Sequence, residues 1–409
     1  MSVQGAMAAS LRRFDPYPEA ILALDFAGVR TGGRQFYKRE GIIVPRFEML
    51  RGAASVGHAG FGVASVNGAL RRFAPGASLV GDGGLSVPEL RTNKNSNFNA
   101  NPTDLTGLSG SAVSDGRVSV VSDEAALAAA GLEGLCSSGK VVRINNAGNP
   151  SSTDLLVSGV TGNANVHTLS AFMRGTGTGS LRIATFVQAV AFALTPAYIR
   201  TTGAATPLDA AGQFRLRVDA GGDCYFILNQ LEEGSFATAP IVVQGAPATR
   251  TAVAQSVGGV VLPPIHSGAV RFRWVGAEAN AFPVAFTLDD NTAESRILVY
   301  RINANGGCSV LFKSAADQIV LTLGAVGLGV DHVVAWRAEP GNYAACLNGG
   351  AVATSSGPIV LPTFSHLRAG HVRTNPTTNV GNGVFATSEI YDKPFSNSRL
   401  QALCRELAA

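Results

Sequence analysis

The sequence predicts an all-β protein: an irregular N-terminal region followed by two antiparallel β-sandwiches. Three observations carry that prediction. Short runs of alternating apolar and polar residues, the period of a half-buried strand, recur from residue 102 to the C-terminus. Glycine supplies 48 of 409 residues and falls, with Pro, Asn and Asp, in the breaks between those runs, where turns need it. Charged residues make up only 15% of the chain, against 46% hydrophobic ones, which is the composition of packed cores rather than of a solvated tail. A chain of this length is expected to hold two or three domains.

Residues 1–99 are the least regular part. Apolar pieces at 21–26, 41–44 and 61–66 alternate with Gly, Pro and Arg, and no helical period lasts three turns. The first 100 residues hold twelve Lys/Arg against seven Asp/Glu, so this segment carries the whole surplus behind the net charge of +4. That surplus is too small for a nucleic-acid footprint, which needs a concentrated basic face. It fits docking on an acidic protein surface, or simply a solvated face.

From 102 to 247 the pattern is mostly strand, at 116–121, 140–145, 154–158, 167–174, 180–185, 213–219 and 224–231. Asn146-Ala147-Gly148-Asn149-Pro150 and Gly175-Thr176-Gly177 are turn signals between them. Strands this short and this closely spaced predict a sandwich. The exception is 122–135, where Ser122 is placed to cap a helical run that glycine ends. In residues 225–252, Phe226 and Leu228 are expected on the core face, with Asn229, Glu232 and Glu233 toward water. Gly234-Ser235 breaks that strand, and Pro240, Gly245 and Pro247 mark an extended path to the next domain. The domains are therefore 1–99, 100–250 and 258–409, with a protease-sensitive boundary at 247–262.

The second strand series opens with Val270, Phe272 and Trp274 alternating with Arg271 and Arg273. It continues at 297–302, 309–313, 319–323, 332–336 and 343–347. A closing helix follows Ser396, with Ser398 and Gln401 spaced for a capping box.

Cys136, Cys224, Cys308, Cys346 and Cys404 are scattered singly, without a C-x-x-C. They are expected to be five free thiols, used as small core residues in a chain folded in a reducing cytoplasm. The N-terminus lacks the features of a signal peptide, and no run approaches the ~18 apolar residues of a membrane span, so no membrane insertion is expected.

No catalytic residue, metal ligand or cofactor is assigned. Glycan hydrolysis needs two carboxyl groups across a cleft. The adjacent pairs Glu232-Glu233 and Asp289-Asp290 lie on strand-like runs, where neighbours point to opposite faces. His366 and His371, five apart, show no ligand spacing. Asp289, Asp290 and Asn291 offer hard oxygens for Ca²⁺, but a polar hairpin turn explains the same triplet. The Gly-Thr-Gly-Thr-Gly-Ser run at 175–180 lacks the Lys of a phosphate loop.

Sugar recognition needs aromatic faces against pyranose C–H groups and polar side chains for the hydroxyls. The central module offers Arg174, Tyr198, Arg200, Tyr225, Asn229 and Gln230. The last module offers Arg273, Trp274, Tyr300, Arg301 and Trp336, with both tryptophans set in apolar alternation as core residues. Tyr198 and Arg200, beside Pro196, Thr201 and Thr202, form the pair expected to be exposed.

Several stretches resemble bacteriophage and prophage structural proteins. LALDFAGV, FYKREG, NGALRRFAPG and GGLSVPELRTNKNSNFN follow the order of that family's leader, with VPRF early at 44–47 and Lys94-Asn95 in place of the hydrophobic run after RTN. QLEEGS closing on ATRTA resembles the exit of its carbohydrate-binding-module-like sandwich. DHVVAW before YAACLNGG, then VFATSEIYDKPFS, resemble its concanavalin A-like (laminin G-like) sandwich, although Arg399 stands where that family has an acid. The resemblance implies a non-enzymatic fibre or spike of a phage or gene transfer particle. Such a protein is made in the bacterial cytoplasm, released by lysis, and present in several copies. Residues 1–99 would meet other particle proteins, and the sandwiches would hold host surface or capsular polysaccharide. Two rivals come from other classes: a capsule depolymerase, and an architectural virion protein that binds no glycan.

Overall fold

A computed structural model describes residues 19–25, 36–39, 42–43, 62–66, 69–73, 80–81, 84–87, 91–95 and 100–409, apart from 158, 186, 239, 244–246, 251–254, 277–281, 303 and 374–380. The fold is all-β and antiparallel, as the alternating runs predict. Two compact units divide the chain. One holds residues 90–251 with 58–77, and the other holds 252–409 with 1–57 and 78–89. Among the described residues no helix is long and apolar enough to cross a membrane.

In the central unit a five-stranded sheet runs in the order Ile199–Ala205, His167–Thr176, Asp223–Glu233, Lys140–Asn145, Val118–Ser122. A four-stranded sheet runs Thr153–Leu156, Arg215–Val218, Thr178–Arg182, Gln188–Ala193. The core between them takes Val142, Ile144, Leu169, Met173 and Phe226 from one sheet, and Leu155, Leu181, Leu216 and Val218 from the other.

The alternation expected through Asp223–Glu233 does not persist. The register against His167–Thr176 shifts between Ser170 and Phe172, and Leu228 sits at φ 54°. Such a bulge adds a residue and exchanges the faces beyond it. Phe226 therefore lies in the core between the sheets, whereas Leu228 joins Leu127, Leu132 and Leu135 on the outer face. Asn229 and Glu232, expected toward water, are buried.

The helix expected at 122–135 spans only Glu124–Ala129, and Asp123 rather than Ser122 occupies its N-cap position. Asp123 makes no side-chain cap bond. Its carboxylate is taken up by Arg174 and Tyr198 instead.

In the other unit one sheet includes Val352–Ser355, Tyr343–Leu347, Asp331–Ala338, His266–Gly276 and Asn382–Tyr391, and it is extended by Leu22–Asp25 and Phe36–Arg39. The facing sheet holds six strands, from Gln255–Leu262 to Asp317–Ala325. Trp274 and Trp336 lie in the core between them, as their alternation predicts. The helix Asn397–Ala408 lays Leu400, Leu403 and Leu407 on the other face of the first sheet. Ser396 caps it, accepting from the Arg399 amide at 3.2 Å, so the Ser398–Gln401 box is not used.

Parts of the first 99 residues are built into the two sandwiches. Leu22–Asp25 pairs with the last strand, Leu22 opposite Ile390, and Leu22 and Leu24 enter the core. Arg91–Asn93 pairs with Ala248–Arg250 in the central unit. An extended apolar strand has to pair its backbone and bury its face, and a sheet edge offers both. The expected boundary at 247–262 likewise contains paired backbone, at Ala248–Arg250 and in Gln255–Leu262. The five cysteines are buried, with the Cys346 and Cys404 sulfurs 3.5 Å apart.

Candidate functional site

The outer face of the five-stranded sheet carries most of the polar residues singled out in the sequence, and they fall into three groups. The first is a cross-strand row. Arg143 lies opposite Tyr225, and Tyr225 lies opposite Arg174. The Arg174 guanidinium sits 4.0 Å from the centre of the Tyr225 ring, and that of Arg143 sits 5.2 Å from it. Arg143 forks onto Asp223 at 2.8 and 2.9 Å. Arg174 forks onto Asp123 at 2.7 and 2.5 Å, and the Tyr198 hydroxyl donates to the same carboxylate at 2.6 Å. Hydrogen bonding to Asp123 raises the Arg174 pKa, and burial, followed by that same carboxylate, raises the Tyr198 pKa. Both cations of the row are matched by acids, so it works as a structural clamp on the helix start. Tyr198, expected to be exposed, is 7% exposed because Asp123 and the outer-face cluster close over it.

The second group holds the segment after the strand. Gln230 accepts from the Ile241 amide at 2.7 Å. Glu232 accepts from the amide and the hydroxyl of Thr238, at 3.1 and 2.5 Å. Asn229 accepts at its backbone carbonyl from the Asn93 side chain, which also donates to the Ile241 carbonyl, each at 3.2 Å. Asn93 completes the knot by accepting from the Leu231 amide at 3.1 Å. Asn229 and Gln230 are buried and fix the backbone, and neither lines a surface.

The third group encloses a hollow of about 440 Å³. Its floor is the outer face of the edge strand Ile199–Ala205 and its neighbour, with Thr168, Arg200, Thr202, Gly203 and Ala204. Its wall is the turn Ser235, Phe236 and Ala237. That turn is folded back by the Glu232–Thr238 bonds and by Thr168, whose hydroxyl donates to the Gly234 carbonyl at 2.7 Å. Of the six central-module residues offered for sugar binding, the structure brings Arg200 to this hollow. Its Nη2 donates to the Ser170 hydroxyl at 3.0 Å, and its guanidinium lies 5.8 Å from the Phe172 ring centre. The hollow thus offers a cation, hydroxyls and an aromatic ring within a volume typical of small-ligand sites, roughly 300–1,000 Å³. The sequence marks Ser235 only as a strand break and leaves Phe236 unmarked, since a glycine-serine turn carries no sign of the sheet it folds onto.

In the other unit, Asp289 receives Arg368 at 2.5 and 3.0 Å, and Asn291 receives it at 3.0 Å. Asn291 adopts φ 66°, so this triplet is the polar turn rather than an open cation cage. Among the described residues no group of three or more His, Cys, Asp or Glu side chains is placed to hold a metal ion. The carboxylates of Glu232, Glu233, Asp289 and Asp290 all have partners within the protein.

No family model and no curated protein matches the sequence. Among solved structures, the chain is similar to the CBM40 module of the Ruminococcus gnavus IT-sialidase bound to α2,3-sialyllactose, at 17% identity and a TM-score of 0.30, covering 35% of this chain and 84% of that one. It is similar to a mutant of the NanB sialidase from Streptococcus pneumoniae, at 13% identity and a TM-score of 0.30, covering 36% of this chain and 27% of that one. A third is the heptameric SAP-like pentraxin from Limulus polyphemus, at 13% identity and a TM-score of 0.27, covering 35% of this chain and 72% of that one.

Proposed function

We propose that this protein is a non-enzymatic adhesin, a fibre or spike of a phage or phage-like gene transfer particle, that holds host surface or capsular polysaccharide. The observation that carries the glycan part is the hollow beside Arg200, with its hydroxyls and its phenyl ring on an open sheet edge. The particle part is supported by the resemblance at 225–252 and 331–396. Binding here is a matter of geometry. The phenyl ring takes the apolar side of a sugar ring, Thr202 and Ser235 bond its hydroxyls, and the buried ties of Glu232 and Gln230 hold the wall in place before ligand arrives.

A shallow site of this kind binds weakly, and copies displayed together on one particle raise avidity by orders of magnitude. Residues 1–99 supply the contact with other particle proteins in this reading. The test is incubation of the purified protein with host capsule, followed by size-exclusion chromatography. An adhesin co-elutes with polysaccharide of unchanged length. Shortened chains would establish a depolymerase, and no co-elution would leave an architectural protein.

A further inference from the structure

Three arginines on the outer face of the five-stranded sheet differ in one respect. Arg143 and Arg174 each fork onto an aspartate. Arg200 forms no ion pair among the described residues, and of its five N–H groups one is used, in the bond to the neutral hydroxyl of Ser170. Its Nε is shielded from solvent and has no partner. The acid that acts on it electrostatically is Glu232, which is fully buried and spends both oxygens on Thr238. Burial depresses the Arg200 pKa, the opposite of what the paired Arg143 and Arg174 show. A guanidinium held against an apolar ring with most of its donors unused is an incomplete anion site. It opens onto the hollow, whose floor next to it includes Ala204, a small residue that leaves room for a ligand.

We propose that the hollow takes a carboxylate-bearing sugar residue, a hexuronic or nonulosonic acid, with the carboxylate on Arg200 and the ring against Phe236. This rests on the adhesin reading and narrows it to acidic polysaccharide. The planar fork of arginine matches a carboxylate with two parallel bonds, and those bonds are strongest where water is excluded. Thr202 and Ser235, both exposed at the rim, would face the hydroxyls.

The experiment presents the full-length protein with immobilised oligosaccharides of three kinds: acidic glycans, the same glycans as methyl esters, and neutral glycans. Acidic glycans should be retained, and esterification should weaken retention roughly 10-fold or more, the cost of one charge-assisted pair. Arg200→Gln should weaken it by a similar factor at an unchanged unfolding midpoint, and Arg200→Lys by less. Equal retention of esters or of neutral glycans would overturn the acidic subsite and leave the adhesin reading standing. So would a folded Arg200→Gln protein that still retains acidic glycans. Retention of no glycan at all by the unaltered protein would remove the adhesin reading itself. Should Arg200→Gln fail to fold, the comparison of acid with ester on the unaltered protein still decides.

Discussion

Arg174 and Asp123, 51 residues apart, meet in a two-pronged ion pair at 2.7 and 2.5 Å, and the same carboxylate accepts the Tyr198 hydroxyl. Both charged side chains are largely covered, with 20% and 10% of the side chain exposed. Asp123→Ala should therefore lower stability by roughly 2–3 kcal/mol, since it strands a half-buried guanidinium and a buried phenol. Chemical denaturation of the variant checks this. At temperatures where it remains folded, glycan retention should be unaffected, because this row does not line the hollow.

Asn93 is the second anchor. One buried side chain ties Asn229, Leu231 and Ile241 together. Asn93→Ala should cost about 3 kcal/mol, near 1 kcal/mol for each lost bond, and loosen the 230–241 segment that walls the hollow. Weaker glycan retention together with faster amide exchange at Leu231 and Ile241 is the expected outcome. For the same reason, deleting residues 1–99 should damage both sandwiches, because it removes Asn93 from one and Leu22 and Leu24 from the core of the other.

The faces of strands were legible in the sequence, and what covers a face was not. Trp274 and Trp336 lie in the core their alternation predicts, because residues two apart on a strand share a side regardless of the rest of the chain. Tyr198 had equally good local grounds for exposure, beside Pro196 and two threonines. Its burial depends on Asp123, 75 residues away, and no local pattern encodes that. The bulge at Leu228 is a similar case: one residue at positive φ puts Leu228 on the outer face and Asn229 into burial, while Glu232 is covered by Thr238 of the returning segment. Arg200 came to the hollow through strand position alone, while Phe236 and Ser235 arrived through a turn whose direction is set by Thr168 and Glu232.

His266 sets a pH limit on the other sandwich. It is fully buried, its Nδ1 lies 2.8 Å from the Pro263 carbonyl, and its Nε2 has no partner, so burial pushes its pKa down to about 4 from an ordinary 6.5. Between those values the unfolded chain binds a proton that the folded one refuses, so stability falls as pH falls. The loss between pH 7 and pH 5 should be about 2 kcal/mol. Urea unfolding at the two pH values measures it, and His266→Phe should flatten the dependence.

The thiols offer a simpler check. Burial raises the Cys136 and Cys308 thiols to about 12, which leaves them protonated and slow to react in the folded protein. Alkylation under native conditions should be slow, and denaturation without reductant should release five thiols. Fewer would mean that Cys346 and Cys404, with sulfurs 3.5 Å apart, had been oxidised to a bridge.

Ala204 gives the most direct test of the central claim that the hollow on the central sandwich is where polysaccharide is held. It is exposed on the outer edge strand and lines the hollow without touching the clamp at Asp123 or the knot at Asn93. Ala204→Trp should fill the space and leave the unfolding midpoint close to that of the unaltered protein. The measurement is co-elution of this variant with host capsular polysaccharide. The account predicts that co-elution is lost in a folded protein; undiminished co-elution would place the binding surface elsewhere and contradict it.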